Sequence, residues 1–204
     1  MDMHVRVELD DDGPVVVKSA TGPAAERVRH ERRRLEQAVH PGVVALVRGP
    51  APDGSPDCDT ELRTRYAGDP VSRWTGSVAS IAGLGAAVAS TLADLHDLGI
   101  VHGRLDATHI LVGDDGRPRL CGLSHPGDAA RPDDVAALGT VLDQLVQRAP
   151  AERRGTLRWV RAAGGGDRRA LRQVIERAVD PVATRRSTAR VLADLILTAV
   201  PTAV

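Results

Sequence analysis

Residues 15–42 read VVVKSATGPAAERVRHERRRLEQAVHPG. Val15 to Lys18 predict a β-strand. Gly22-Pro23 breaks the chain, and a helix is predicted from about Ala24 to Val39, where His40-Pro41-Gly42 stops it. Val28, Leu35 and Val39 mark the stripe this helix should bury. Glu31 falls on the same stripe, three residues after Val28 and four before Leu35. A carboxylate in that position is costly unless a cation meets it. The candidate cation is Lys18, at the end of the preceding strand. It is the one lysine among 27 basic residues, the other 26 being arginine. Such a bias fits a GC-rich genome in which Arg replaces Lys wherever a generic positive charge is enough. The surviving lysine is therefore expected to have a specific partner.

Outward from this stretch, Val5 to Leu9 reads as a strand and Asp10 to Pro14 as a turn. Val43 to Val47 is a predicted third strand, Gly49 to Asp59 a loop, and Thr60 to Tyr66 a further strand. A switch to helices follows. Ile81, Leu84, Val88, Leu92 and Leu95 are spaced for one helical face. Short strands are predicted at Ile110 to Val112 and Arg119 to Cys121, joined by a turn at Asp114-Asp115-Gly116. After Pro132 the pattern is helical, with stripes at Val135/Leu138/Leu142/Leu145, Leu171/Val174/Ile175/Ala178 and Val191/Leu192/Leu195/Ile196. The expected class is α+β, with a β-rich part over 1–68 and a helical part over 69–204.

Composition narrows the function. Of the 204 residues, 42% are hydrophobic, enough for a real core, and 27 basic residues balance 27 acidic ones. That balance removes the global argument for a nucleic-acid or membrane-surface protein. With Tyr66, Trp74 and Trp159 as the only aromatics and no Phe, a base-stacking platform can hardly be built. Cys58 and Cys121 are too few for a disulfide framework or a four-cysteine zinc site. The uncharged run from Trp74 to Ala93 is rich in Gly, Ala, Ser and Thr and reads as a packed helix rather than a membrane span. No signal-peptide pattern opens the chain. The expectation is a cytoplasmic domain.

A strand lysine paired with a helix glutamate is the ion pair of the protein-kinase amino-terminal lobe. The sequence resembles a bacterial, actinobacterial-type Ser/Thr protein kinase along nearly its whole length. Val15-Val16-Val17-Lys18 matches the V-A-I-K strand, and Glu31, nine residues before His40-Pro41, matches the glutamate of helix C. Leu95 to Leu105 looks like the helix entering the catalytic loop. Leu120-Cys121-Gly122-Leu123-Ser124 stands where the D-F-G segment belongs, and Asp134 to Gly139 resembles the start of the central helix. Arg185-Arg186-Ser187-Thr188 resembles the arginine-containing turn before the last helix. The resemblance implies a two-lobe kinase-like fold with a reduced amino-terminal lobe.

The same comparison implies lost chemistry. In H-R-D-x-x-x-x-N the Asp is the catalytic base and the Asn holds a metal. Here the base position is Arg104, which cannot accept a proton, and the metal position is His109, a poor ligand for Mg²⁺. The D-F-G aspartate is replaced by Gly122. No G-x-G-x-x-G precedes Lys18, and the 12 residues from Gly122 to Asp134 are short for an activation segment. Val16 stands where the family has a small Ala above the adenine ring. What matches is structural: Leu35, His102 and Leu123 for the apolar column between lobes, and Asp134 for the buried aspartate under the catalytic loop.

The resemblance thus implies a pseudokinase: no catalytic residue, no metal and no resident cofactor, ATP contact being weak and without Mg²⁺. It would act by binding a protein partner, as scaffold or allosteric regulator. Two readings stand beside it, an atypical phosphotransferase using Asp106 as its base and a nucleotide-sensing module. Individual residues also have plainer readings. Arg104 is either an anion binder or a solvated loop arginine, and His109 either a metal binder or, more plainly, a hydrogen-bonded core histidine. Asp114 and Asp115 read as turn residues. The run Arg27, Arg29, His30, Arg32, Arg33, Arg34 reads as a solvated helix face or a docking patch.

Overall fold

The computed structural model describes residues 3–47, 60–123, 129–150 and 160–201. Cys58, Trp159, Ser124 and the expected loop over 49–59 lie outside the described residues. A hairpin opens the chain, β1 (Met3–Asp10) against β2 (Gly13–Ala20), closed by Asp11-Asp12 alone. The turn is shorter than the sequence suggests because Gly13 and Pro14 already belong to the ladder. Helix α1 (Pro23–Gln37) follows, and β3 (Thr60–Arg65) completes an antiparallel sheet in the order β1-β2-β3.

The two faces of this sheet are built differently. On one, ion pairs from β1 to β3 cross over the central strand: Arg6 to Glu61 at 3.2 Å, Glu8 to Arg63 at 3.0 Å and Asp10 to Arg65 at 2.6 Å. Val15 and Val17 lie between them in the ladder and are fully buried. The arginine stems supply apolar cover while their heads stay polar. On the other face α1 packs against β2 and β3 through Ala24, Val28 and Leu35.

A second antiparallel sheet, β4-β5-β6, joins β4 (Asp69–Pro70), β5 (Ile110–Val112) and β6 (Pro118–Leu120). Between β4 and β5 lies α2 (Val78–Asp97), capped by Ser77, whose hydroxyl accepts the Ser80 N–H. All five of its predicted core residues are buried. By length and composition α2 could cross a membrane, but it packs against the helices α3 (Arg131–Arg148), α4 (Val160–Ala178) and α5 (Ala189–Ala199) as the core helix. Thr188 caps α5. Ahead of that cap, Arg186 holds the turn to the start of α3, donating to the carbonyls of Asp180 and Pro132 and pairing with Asp133 at 3.1 Å.

Three expectations need correction. Residues 43–47 are not a strand. They divide their hydrogen bonds between the two sheets: Val44 N–H and Gly42 C=O bond Leu120, whereas Val47 N–H and Ala45 C=O bond Arg63 and Arg65. The segment stitches the sheets together without pairing fully with either. Val39 is 88% exposed, because α1 ends at Gln37 and Ala38 takes the buried position instead. Val191 is also exposed, lying off the face of α5 that Leu192 and Ile196 bury.

Gly42, at the head of the stitching segment, touches α2 with no room to spare. A Cβ built there would run into the hydroxyl and methyl of Thr91. Gly42→Ala is expected to destabilise the fold by about 1–3 kcal/mol in denaturant unfolding. Adding Thr91→Ala should recover part of that loss.

Candidate functional site

Glu31 is 3% exposed, on the stripe of α1 that carries Val28 and Leu35. Its Oε1 accepts from Lys18 Nζ at 2.6 Å and from the backbone N–H of Gly122 at 3.1 Å. One carboxylate therefore joins β2, α1 and the segment after β6. The Lys18 contact follows from where periodicity and strand order put the two residues. The Gly122 contact joins positions 91 residues apart and has no signal in the sequence.

Asp134 is the second centre. It sits in the first turn of α3 and is 1% exposed. Its Oδ2 accepts from His96 Nε2 at 2.8 Å and from His102 N–H at 2.9 Å, and its Oδ1 accepts from Gly103 N–H at 2.8 Å. Sequence reasoning missed His96, although the signal was there: it is a polar residue on the buried stripe of α2, four positions after Leu92. A related bond ties His40 to α2. Gly42 N–H donates to His40 Nδ1, which leaves Nε2 to donate to Asp94 at 3.1 Å.

His102 is fully buried. Its Nε2 donates to the Cys121 carbonyl at 3.0 Å, and Nδ1 faces the Arg104 N–H at 3.4 Å. Those contacts select a neutral ring with the proton on Nε2. Burial pushes its pKa below the ordinary histidine value, against the opposing pull of Asp134. Burial likewise raises the Cys121 thiol to about 11, so it stays a neutral thiol near neutral pH. Leu35 and Leu123 are buried in the common apolar core.

Of the positions where the sequence departs from the kinase motifs, Arg104 and His109 lie on the loop before β5 and Gly122 in the segment after β6. Arg104 is exposed. His109 and Gly122 are in contact: a Cβ built on Gly122 would fall against the His109 imidazole. Gly122 has φ +80°, a conformation that also favours glycine. His109 Nδ1 is buried and lies 2.9 Å from Asp106 Oδ1, but their alignment makes no hydrogen bond. Burial works to raise the Asp106 pKa, yet the Thr108 hydroxyl and N–H, with His109, hold it below the ordinary carboxylate value. Asp106 thus closes a local turn onto Thr108. Asp115 does the same for Arg117 and pairs with Arg119. On the basic run of α1, Arg29 and Arg33 both pair with Glu26. Among the described residues, no group of three or more His, Cys, Asp or Glu side chains is placed to hold a metal.

Two outcomes follow. Lys18→Met and Glu31→Gln should each destabilise the domain, Lys18→Met by about 3–5 kcal/mol, since each leaves a charge in the pair without its counter-charge. The double variant should lose less than the sum, as read by denaturant unfolding. Stability should also fall on acidification. A histidine whose folded pKa lies below its unfolded value of about 6.5 contributes fully above that pH. The contribution is lost as pH drops toward the folded pKa, by up to about 1.4 kcal/mol per pH unit. His102→Gln keeps a donor for Cys121 and should flatten this acid limb in unfolding curves measured against pH.

No family model and no curated protein matches the sequence. Among solved structures, the fold is similar to the apo structure of a pseudokinase, with a TM-score of 0.74 and 15% identity over 98% of this chain and 88% of that one. The fold is protein-kinase-like.

Proposed function

We propose that the chain is a pseudokinase, a degenerate relative of bacterial Ser/Thr protein kinases, which acts by binding a protein partner as scaffold or allosteric regulator. Residues 1–68 would form a reduced amino-terminal lobe and 69–204 the helical carboxy-terminal lobe of one cytoplasmic domain. Lys18 and Glu31 then serve as a structural ion pair, Leu35, His102 and Leu123 as the apolar column, and Asp134 as the anchor of the catalytic-loop backbone.

The observation that carries this reading is the packing of His109 on Gly122. In the kinase motifs these two positions hold the Asn and Asp that grip the metal. Here an imidazole occupies the space that a side chain at 122 would need. Mg²⁺ takes oxygen ligands, and this pair offers none from its side chains. The donor set does not fit the metal. Arg104, at the base position, has no lone pair with which to take a proton from a substrate hydroxyl. Asp106 does not replace it, because its carboxylate is turned back onto Thr108 and held ionised.

Purified chain with labelled ATP and a generic protein acceptor is expected to give no labelling above background, because several transition-state contacts are missing together. ATP should raise the melting temperature little, and no more with Mg²⁺ or Mn²⁺. A ligand at 100 times its Kd would add about 2.7 kcal/mol, a readily measured shift. Metal-dependent labelling that Asp106→Ala abolishes would establish the atypical-kinase reading instead. A clear shift that grows with Mg²⁺ would establish the nucleotide sensor.

A further inference from the structure

Among the described residues, strand β1 leaves one edge and one face open. Met3, Val5, Val7 and Leu9 are 50, 56, 60 and 83% exposed, and they alternate along a single face. Helix α1 covers the same face of the sheet over β2 and β3. Among the described residues, β1 has a strand partner only in β2.

The free edge belongs to the same four residues. Tyr66 N–H donates to the Pro14 carbonyl, so Pro14 turns its backbone toward the β3 side. Leu9 lies opposite Pro14 and so points its own N–H and C=O away from β2. Direction alternates along a strand, and Val7, Val5 and Met3 therefore point theirs outward as well. The eight residues of β1 contain no proline and no lysine, the usual protections of an exposed edge.

We propose that this edge is a homodimer interface. Two copies pair antiparallel along β1, centred on Val7, and join their sheets into one of six strands. The charge order of the strand supplies the argument. The alternate positions are His4, Arg6, Glu8 and Asp10, basic in the first half and acidic in the second. Antiparallel pairing centred on Val7 sets Arg6 opposite the second copy's Glu8 and His4 opposite its Asp10, in both directions at once. The apolar face then sets Val5 opposite Leu9 and Val7 opposite Val7, and these pairs are the ones that exchange backbone hydrogen bonds. Centring on Arg6 would oppose two guanidiniums, and centring on Glu8 two carboxylates, both unfavourable. Such two-fold self-complementarity is the requirement of an isologous contact. The new ion pairs would extend the straps that already cross each sheet from Arg6, Glu8 and Asp10.

The proposal is independent of whether the chain transfers phosphate. Sedimentation velocity on the full chain is expected to show a dimer that dissociates on dilution. Val7→Pro removes a donor that points out of the hairpin and should abolish the dimer, with the far-UV spectrum and melting temperature retained. Arg6→Glu and Glu8→Arg should each weaken dimerisation about tenfold or more, since each opposes like charges twice. An equimolar mixture of these two variants should dimerise again, because the two acidic side chains of one strand then face the two guanidiniums of the other. That mixture decides the matter even if Val7→Pro does not fold. A wild-type chain that stays monomeric at high micromolar concentration overturns the proposal and leaves the edge to a strand of another protein. A mixture no tighter than its components overturns it too.

Discussion

A carboxylate buried on the apolar stripe of a helix constrains everything around it. Glu31 has water on no side, so its charge must be met from within. The two donors that meet it come from different parts of the chain, Lys18 in the first sheet and the Gly122 N–H beyond the second. To satisfy both, α1 must lie across β2 and β3, and the segment after β6 must come up beneath the helix. The stitching residues 42–47 act in the same direction, since their backbone bonds reach Leu120 on one side and Arg63 and Arg65 on the other. The relation between the sheets is thus set by polar contacts, while the apolar core supplies most of the driving force.

Asp134 repeats this arrangement in the helical part. Three donors converge on it, two of them backbone N–H groups of the loop at His102 and Gly103. That loop follows α2 and has no regular secondary structure to satisfy its backbone. The aspartate supplies what a ladder otherwise would. His102 continues the chain of bonds to the Cys121 carbonyl, one residue before Gly122. The two buried acids are therefore linked through a continuous polar network, Asp134 to His102 to Cys121–Gly122 to Glu31.

Much of this was legible in the sequence, for a definite reason. Glu31 and Lys18 stood out because each broke a local rule, one of periodicity and one of composition. The helical stripes in α2 and α3 were legible because their burial is one-sided and their spacing regular. Residues 43–47 misled because β-branched residues only fit a strand, whereas the segment divides its bonds between two sheets. Val39 misled because its helix unwinds two residues earlier, and boundaries depend on what the next segment must reach. The fit of His109 against Gly122 could not be read at all. Each residue alone looks like a simple replacement, and only their contact shows that the two go together.

Burial separates the positions that the fold itself constrains from those it does not. Lys18, Glu31, His102 and Asp134 are partnered and largely withdrawn from water, and replacing any one leaves a desolvated group without its bond. Arg104 is exposed, so the fold exerts no comparable demand on that position. A carboxylate poised there for chemistry would contribute to a reaction, not to stability. At His109 and Gly122 the constraint is one of volume. A side chain at 122 and an imidazole at 109 compete for the same space, and glycine at 122 resolves it while allowing φ +80°. The fold therefore constrains the buried polar groups that hold it together, while at 104 solvent and at 109 and 122 volume set the side chain.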